Sequence, residues 1–342
     1  MAWRMLRLEA NWFINVYETK TDMEPILLEL AKLDFNMVQA IHQEDLKHSA
    51  RTRRKVGFCQ GQANGEFLLA VGIIFEPQFS NCRRILAKVN SFITIIDDVY
   101  DVYGTLDELE LFTDAIVRWD LYFMDQLPHY MKLCFLSLYN SVNEMAYDFL
   151  KDQGVDILPH LKNAWAGLCK SYLVEAKWYY SGYTPSLQEY LDNAWVSSSA
   201  PVILVHAYFY VSSPTAEEAS HFIEEHLDII RWSSMIIRLA DDLGTSSYEL
   251  KRGDVSKSIQ CYMYETEVFE EKARDHVKFL IGNTWKKIND YRFANPRTSQ
   301  TFIGVAMNLA RMAQCMYQYG DGHGVGDLET KDRVKSILIK PL

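Results

Sequence analysis

Apolar residues recur at helical intervals along nearly the whole chain. Between 26 and 47, Leu27, Leu30, Leu33, Phe35, Val38 and Ile41 follow the three-and-four spacing of one helix. Leu6, Leu8, Trp12, Phe13 and Val16 predict a helix within 1–20, and Pro25 suits the start of the next. Further helices are predicted over 67–75, 81–100, 107–124, 129–153, 157–180, 186–212, 215–245, 264–291 and 298–318. Pro128 and Pro159 sit near helix starts, Pro77 and Gly154 at ends. The pattern lapses over 50–66, where Gly57, Gly61 and Gly65 lie among Gln and Asn, so a loop is expected there. It breaks again at Ser197-Ser198-Ser199-Ala200-Pro201, where proline removes a backbone donor and bends the helix. No alternating strand series and no internal repeat interrupts the helices. The fold class is therefore all-α, and no linker divides the helical region.

Composition narrows the function. With 342 residues, 49% of them hydrophobic, the chain can bury a large core. A net charge of −10 argues against a nucleic-acid binder, and the run Arg51, Arg53, Arg54, Lys55 reads as a solvated turn. Cysteines 59, 82, 134, 169, 261 and 315 form no CxxC pair, so reduced, buried thiols are expected and a zinc site is not. No signal peptide is read at the start, and no run of 18 apolar residues predicts a membrane span. The 20 Tyr and 17 Phe suit either core packing or π faces that stabilise a cation, and the sequence leaves both open.

Two acidic segments change the picture. The run Ile93-Thr94-Ile95-Ile96 ends in Asp97-Asp98-Val99-Tyr100-Asp101. On a helix Asp97 and Asp101 share one face, and two facing carboxylates call for a cation. A hard divalent ion whose shell phosphates complete, Mg²⁺ above all, fits them. In the second segment Asp241, Thr245 and Glu249 stand at i, i+4 and i+8 after Met235-Ile236-Ile237. Arg238 lies one turn earlier and Lys257 follows, two cations suited to a phosphate group. Asp98 and Asp242 point about 100° away from their neighbours and are expected to pair with basic residues. Asn90, two turns before Asp97, shares its face. It reads either as a satisfied buried amide or as a residue that positions a water.

Together the two segments resemble the DDxxD and NSE/DTE motifs of class I terpene synthases, and the chain resembles the catalytic domain of the plant monoterpene-producing type. The likeness includes Ala31-Lys32-Leu33-Asp34-Phe35-Asn36, His42-Gln43-Glu44-Asp45-Leu46-Lys47, Val102-Tyr103-Gly104-Thr105-Leu106-Asp107-Glu108-Leu109 and Glu175-Ala176-Lys177-Trp178. It implies a class I helical bundle at 21–342, with 1–20 the last helix of a preceding domain. It implies ionisation of geranyl diphosphate, with three Mg²⁺ (or Mn²⁺) held by Asp97, Asp101, Asp241, Thr245 and Glu249. Arg238 and Lys257 would hold diphosphate. The loop Tyr319-Gly320-Asp321-Gly322-His323-Gly324 would help close the site, giving Tyr319 and Asp321 catalytic roles. Asn90 would favour an alcohol or cyclic ether. Helix-break carbonyls near Ser197 would face the substrate. A plastid location and a monomer or weak dimer are also implied, with no nucleic-acid or membrane partner. Five- or fifteen-carbon diphosphates are the alternative substrates. A chain-elongating enzyme would carry two DDxxD motifs and fits less well.

One tract departs from the family. An Arg-x-Arg pair that binds diphosphate is replaced by Gln60 and Gln62, and Leu69 stands where a Trp is usual. Glutamine is neutral and does not replace a guanidinium on phosphate. Codons for Arg-Asp-Arg-Leu-Met-Glu-Asn, read one base earlier, give Gln-Gly-Gln-Ala-Asn-Gly-Glu, which is the tract here. A frame-shifted tract at about 58–66 is therefore expected in the transcript. A catalytically silent relative is the competing reading.

Overall fold

The computed structural model describes residues 5–56, 63–252, 255–295, 299–318 and 334–342. Among them there are helices and turns and no strand. The helices are α1 (Ala10–Glu18), α2 (Pro25–Val56), α3 (Ala63–Ile73), α4 (Ser80–Asp98), α5 (Leu106–Arg118), α6 (His129–Gln153), α7 (Leu158–Ser181), α8 (Leu187–Ser197), α9 (Ala200–Ser212), α10 (Ala216–Arg252), α11 (Ser258–Thr266), α12 (Glu270–Ala294) and α13 (Gln300–Met316). Helix α10 packs along α13, α12, α8 and α9, while α4 packs against α3, α2 and α9. One apolar core runs through α3–α7, α9, α10, α12 and α13. Burying this surface drives the assembly.

Local chemistry sets most boundaries. Thr105 with Glu108, and Ser186 with Glu189, form capping boxes that start α5 and α8. Gly154 and Gly182, at φ +73° and +66°, end α6 and α7. The break at Ser197–Pro201 is confirmed. Ser199 adopts φ +62° and Pro201 opens α9, where a missing N–H costs nothing. The apolar stretch Leu187–Ser212 that this break divides is long and apolar enough to cross a membrane, but 67% of its 18-residue apolar window is buried inside the protein.

Four expectations need correction. Helix α2 continues to Val56 and α3 begins at Ala63, so 50–56 and 63–66 are helical; 57–62 lie outside the described residues. Tertiary burial overrides the glycines, since Phe67, Leu68, Ala70, Val71, Ile73 and Ile74 are all buried. Gly72 lets Met312 pack closely there, since a Cβ would stand 2.1 Å from Met312 Sδ and the side chain would have to shift. The span 264–291 is two helices, parted where Glu267 turns left-handed at φ +56°. Likewise α5 ends at Arg118, and a 3₁₀ turn covers Leu121–Gln126. The apolar positions of α2 fall on two faces: Phe35 and Val38 are buried, whereas Leu27, Leu30 and Leu33 are exposed.

Two polar devices position α4. Arg83 and Asp45 form an ion pair at 2.9 Å with both side chains out of solvent, and Arg84 adds a 2.8 Å contact. Arg83 also donates to the carbonyls of Glu76 (2.6 Å) and Ile74 (3.3 Å). On α2, Asn36, Gln39 and Gln43 clasp the end of the chain: Gln39 donates to Ile337 and Lys340, Gln43 to Leu338, and Asn36 exchanges two bonds with Leu342. Ile337 and Leu338 then cover Phe67, Leu68 and Val71.

Candidate active site

The first acidic wall ends α4. Asp97 and Asp98 are its last residues, and Val99–Tyr103 then widens into a π turn that Gly104 N closes onto Val99 O at 2.9 Å. Such turns cluster at functional sites. Gly104 is sterically required, since a Cβ would lie 2.5 Å from Leu109 Cδ2 and 2.8 Å from Val99 O. The expected α-helix to Tyr100 thus gives way two residues early.

Burial pushes the Asp97 carboxyl up to about 6; the Tyr172 hydroxyl bonded to it, and the charges of Arg238 and Lys257, pull the other way. Burial also raises Asp98. Tyr172, on α7, is held well above its ordinary range first by burial, then by Asp97 and Asp101, with Arg238 opposing. Asp97 thus feels the charges of Arg238 and Lys257, and Tyr172 those of Asp97, Asp101 and Arg238, so the end of α4 and the second acidic segment act on one another electrostatically.

The second wall is α10, with α8 and α11 behind it. Arg238, 9% exposed, donates to Asp241 at 3.2 Å and to the carbonyl of Ser197 at 3.3 Å, and stands 3.7 Å from Asp242. Its Nε is buried and has no partner among the described residues. Burial works against its charge, but Tyr190, Asp241, Asp242 and Glu175 hold it firmly protonated. Asp242 is fully buried and accepts from Tyr190 Oη at 3.0 Å and Ser258 N at 3.1 Å. The expected basic partner of Asp242 is present as Arg238; no ion pair to Asp98 appears among the described residues. Lys257, 7% exposed, caps α11. Glu175 accepts from Ser197 Oγ and from Asn193 Nδ2, clamping the last turn of α8.

Other predicted residues fall as follows. Thr245 Oγ1 donates to Asp241 O at 3.0 Å, along its own helix. Asn90 is buried against α3: its Nδ2 donates to Glu66 O at 3.3 Å, while its Oδ1 has no partner. Glu249 lies within α10, but its side chain, like Gln60, Gln62, Tyr319 and Asp321, falls outside the described residues. Among those described, no three Asp, Glu, His or Cys residues form a ready metal cluster. The donor set is nevertheless all oxygen and suits a hard cation whose remaining ligands come from phosphate. Sequence reasoning missed Tyr172 and Tyr190, which nothing marked among 20 tyrosines. Glu175 lay in a family-like segment without an assigned role. Cys82, Cys134, Cys169 and Cys261 are buried, as expected, whereas Cys315 is half-buried.

Known proteins complete the picture. The profile described as "Terpene synthase family, metal binding domain" matches residues 48–287. A (-)-alpha-terpineol synthase of Vitis vinifera is 64% identical over the whole chain, which covers 59% of that protein. Several similar proteins are named chloroplastic. A structure of limonene synthase with 2-fluorolinalyl diphosphate superposes with a TM-score of 0.96 at 46% identity, over 100% of this chain and 64% of that one. Isoprene synthase from grey poplar leaves, in complex with three Mg²⁺ ions and dimethylallyl-S-thiolodiphosphate, gives 0.93 at 48% identity, over 99% and 66%. The chain spans about three fifths of the length of the curated relatives it matches.

Proposed function

The chain belongs to the terpene synthase family, and from that premise we propose that it ionises geranyl diphosphate and converts the ten-carbon cation into a monoterpene, releasing diphosphate. Supporting it, buried Arg238 is bonded to Asp241 and to the carbonyl of Ser197, and its charge and that of Lys257 both act on Asp97. The buried, unpartnered Nε of Arg238 is a donor still lacking its acceptor, as an anion site requires. Asp97, Asp101, Asp241, Thr245 and Glu249 are the residues to hold three Mg²⁺, or Mn²⁺, which supply Lewis-acid stabilisation to the leaving group.

The remaining roles belong to the chain. Arg238 and Lys257 bind the departing diphosphate. Tyr172 orients Asp97 toward the opposite wall. Thr245, whose hydroxyl donates to Asp241 O, would offer an oxygen lone pair to a cation without giving up that bond. Asn90, half satisfied against α3, keeps Oδ1 free for a water donor, which favours an oxygenated product. Tyr319 and Asp321, which lie outside the described residues, keep the catalytic roles that the family resemblance implies. Residues 21–342 form the catalytic domain, and 1–20 belong with a preceding helical domain in a plastid enzyme.

Gln60 and Gln62 favour a second reading, a relative that folds and binds metal but turns over weakly. Purified chain is given five-, ten- and fifteen-carbon allylic diphosphates with Mg²⁺, and products are separated by gas chromatography. Weak turnover of the ten-carbon substrate is expected. Arg at both 60 and 62 is expected to raise it by roughly 10²–10⁴, two charge-assisted contacts of about 1.5–3 kcal/mol each. No product from any substrate after that repair overturns the proposal.

A further inference from the structure

Asp242 sits where three helices, α10, α8 and α11, meet. Its carboxylate is fully buried. It accepts from Tyr190 of α8 at 3.0 Å through both oxygens and from Ser258 N, the first residue of α11, at 3.1 Å. Arg238, one turn back on α10, stands 3.7 Å away. Ser258 follows Lys257 directly, so the same carboxylate fixes the main chain that carries the second cation.

Arg238 is shared. In this structure it donates to Asp241 at 3.2 Å. A cation that takes Asp241 removes that acceptor. Without another fixed counter-charge, the guanidinium would be free to follow its carboxylate.

We propose that Asp242 is a positioning residue for diphosphate, holding Arg238 and the backbone at Lys257 in one frame while Asp241 is given up to a cation. The proposal rests on the function proposed above. Tyr190 is its lock, because the phenol fills lone pairs that would otherwise draw Arg238 inward, away from the anion. Helix α11, whose positive end meets the carboxylate, supplies the remaining compensation.

Simple electrostatics and positioning predict opposite signs. Neutralising an acid beside two cations raises the local positive charge and should tighten an anion. Losing the frame should loosen it. The experiment is calorimetric titration of inorganic diphosphate, with saturating Mg²⁺, into the full chain, its Asp242→Asn variant and its Tyr190→Phe variant. Asp242→Asn is expected to weaken diphosphate on the order of 10- to 100-fold, and Tyr190→Phe several-fold. Tighter or unchanged binding by the folded variants, even with a lowered melting temperature, overturns the proposal. If Asp242→Asn does not fold, Tyr190→Phe decides alone, and unchanged affinity there is equally fatal. A wild-type chain that binds no diphosphate overturns the proposed function itself, and this inference with it.

Discussion

Helix α4 has two ends that treat charge in opposite ways. At its start Arg83 and Asp45 are both out of solvent, matched at 2.9 Å, and backed by Arg84 and two main-chain carbonyls. At its finish Asp97 and Asp98 are both pushed up by burial, and Asp97 meets a tyrosine hydroxyl directly and cations only at longer range. The first end is complete as it stands. The second carries carboxyls whose charge burial penalises, which suits the cation-binding role proposed for it.

Three substitutions test that contrast. The largest effect belongs to the complete end. Asp45→Ala strands two guanidinium groups and is expected to cost about 3–5 kcal/mol in chemical denaturation. A loss below about 1 kcal/mol would mean that the buried pair does not anchor α4. At the second end the sign reverses. Asp97→Asn keeps the Tyr172 contact and removes a penalised charge, so the metal-free protein should gain roughly 1 kcal/mol, discounted for partial exposure. The same variant should lose its thermal stabilisation by Mg²⁺.

The pH dependence follows from the raised carboxyl. Folded Asp97 takes up a proton near pH 6, whereas the unfolded chain waits until about 4. Its stabilising contribution is therefore fully present below pH 4 and lost as pH rises through 6. Cation binding needs the ionised form and runs the other way. Mg²⁺ affinity measured by calorimetry should fall by up to about tenfold per unit below pH 6, and this dependence should vanish in Asp97→Asn. The smallest effect lies at the helix break before α9. Ser199 holds φ +62°, and Ser199→Gly should gain about 0.5 kcal/mol in melting experiments, the relief of left-handed strain less the added freedom of the unfolded chain.

Much of this was legible in the sequence. The helix over 129–153 has the predicted bounds, because proline and glycine flank an unbroken period. The break before Pro201 was legible for the same reason. The glycine-bearing stretch 63–66 was not, because α3 is held by neighbours far away in sequence and not by its own propensity. The acidic motifs announced themselves through spacing. Their supports did not: Tyr172 and Tyr190 contribute through hydroxyls brought in from α7 and α8, and a local pattern carries no trace of such partners. The π turn was invisible too, since Gly104 is demanded by the approach of Leu109 and Val99 O.

The clasp of Asn36, Gln39 and Gln43 on the last residues sets an order of events during synthesis. Asn36 finds its partner Leu342 only 306 positions later. At about 5–20 residues per second, that interval is roughly 15–60 s. Throughout it Phe67, Leu68 and Val71 lie without Ile337 and Leu338 over them. A nascent chain of this sequence therefore presents a greasy α3 until residues 337–338 have been made, and chaperone demand should peak before that point and fall after it.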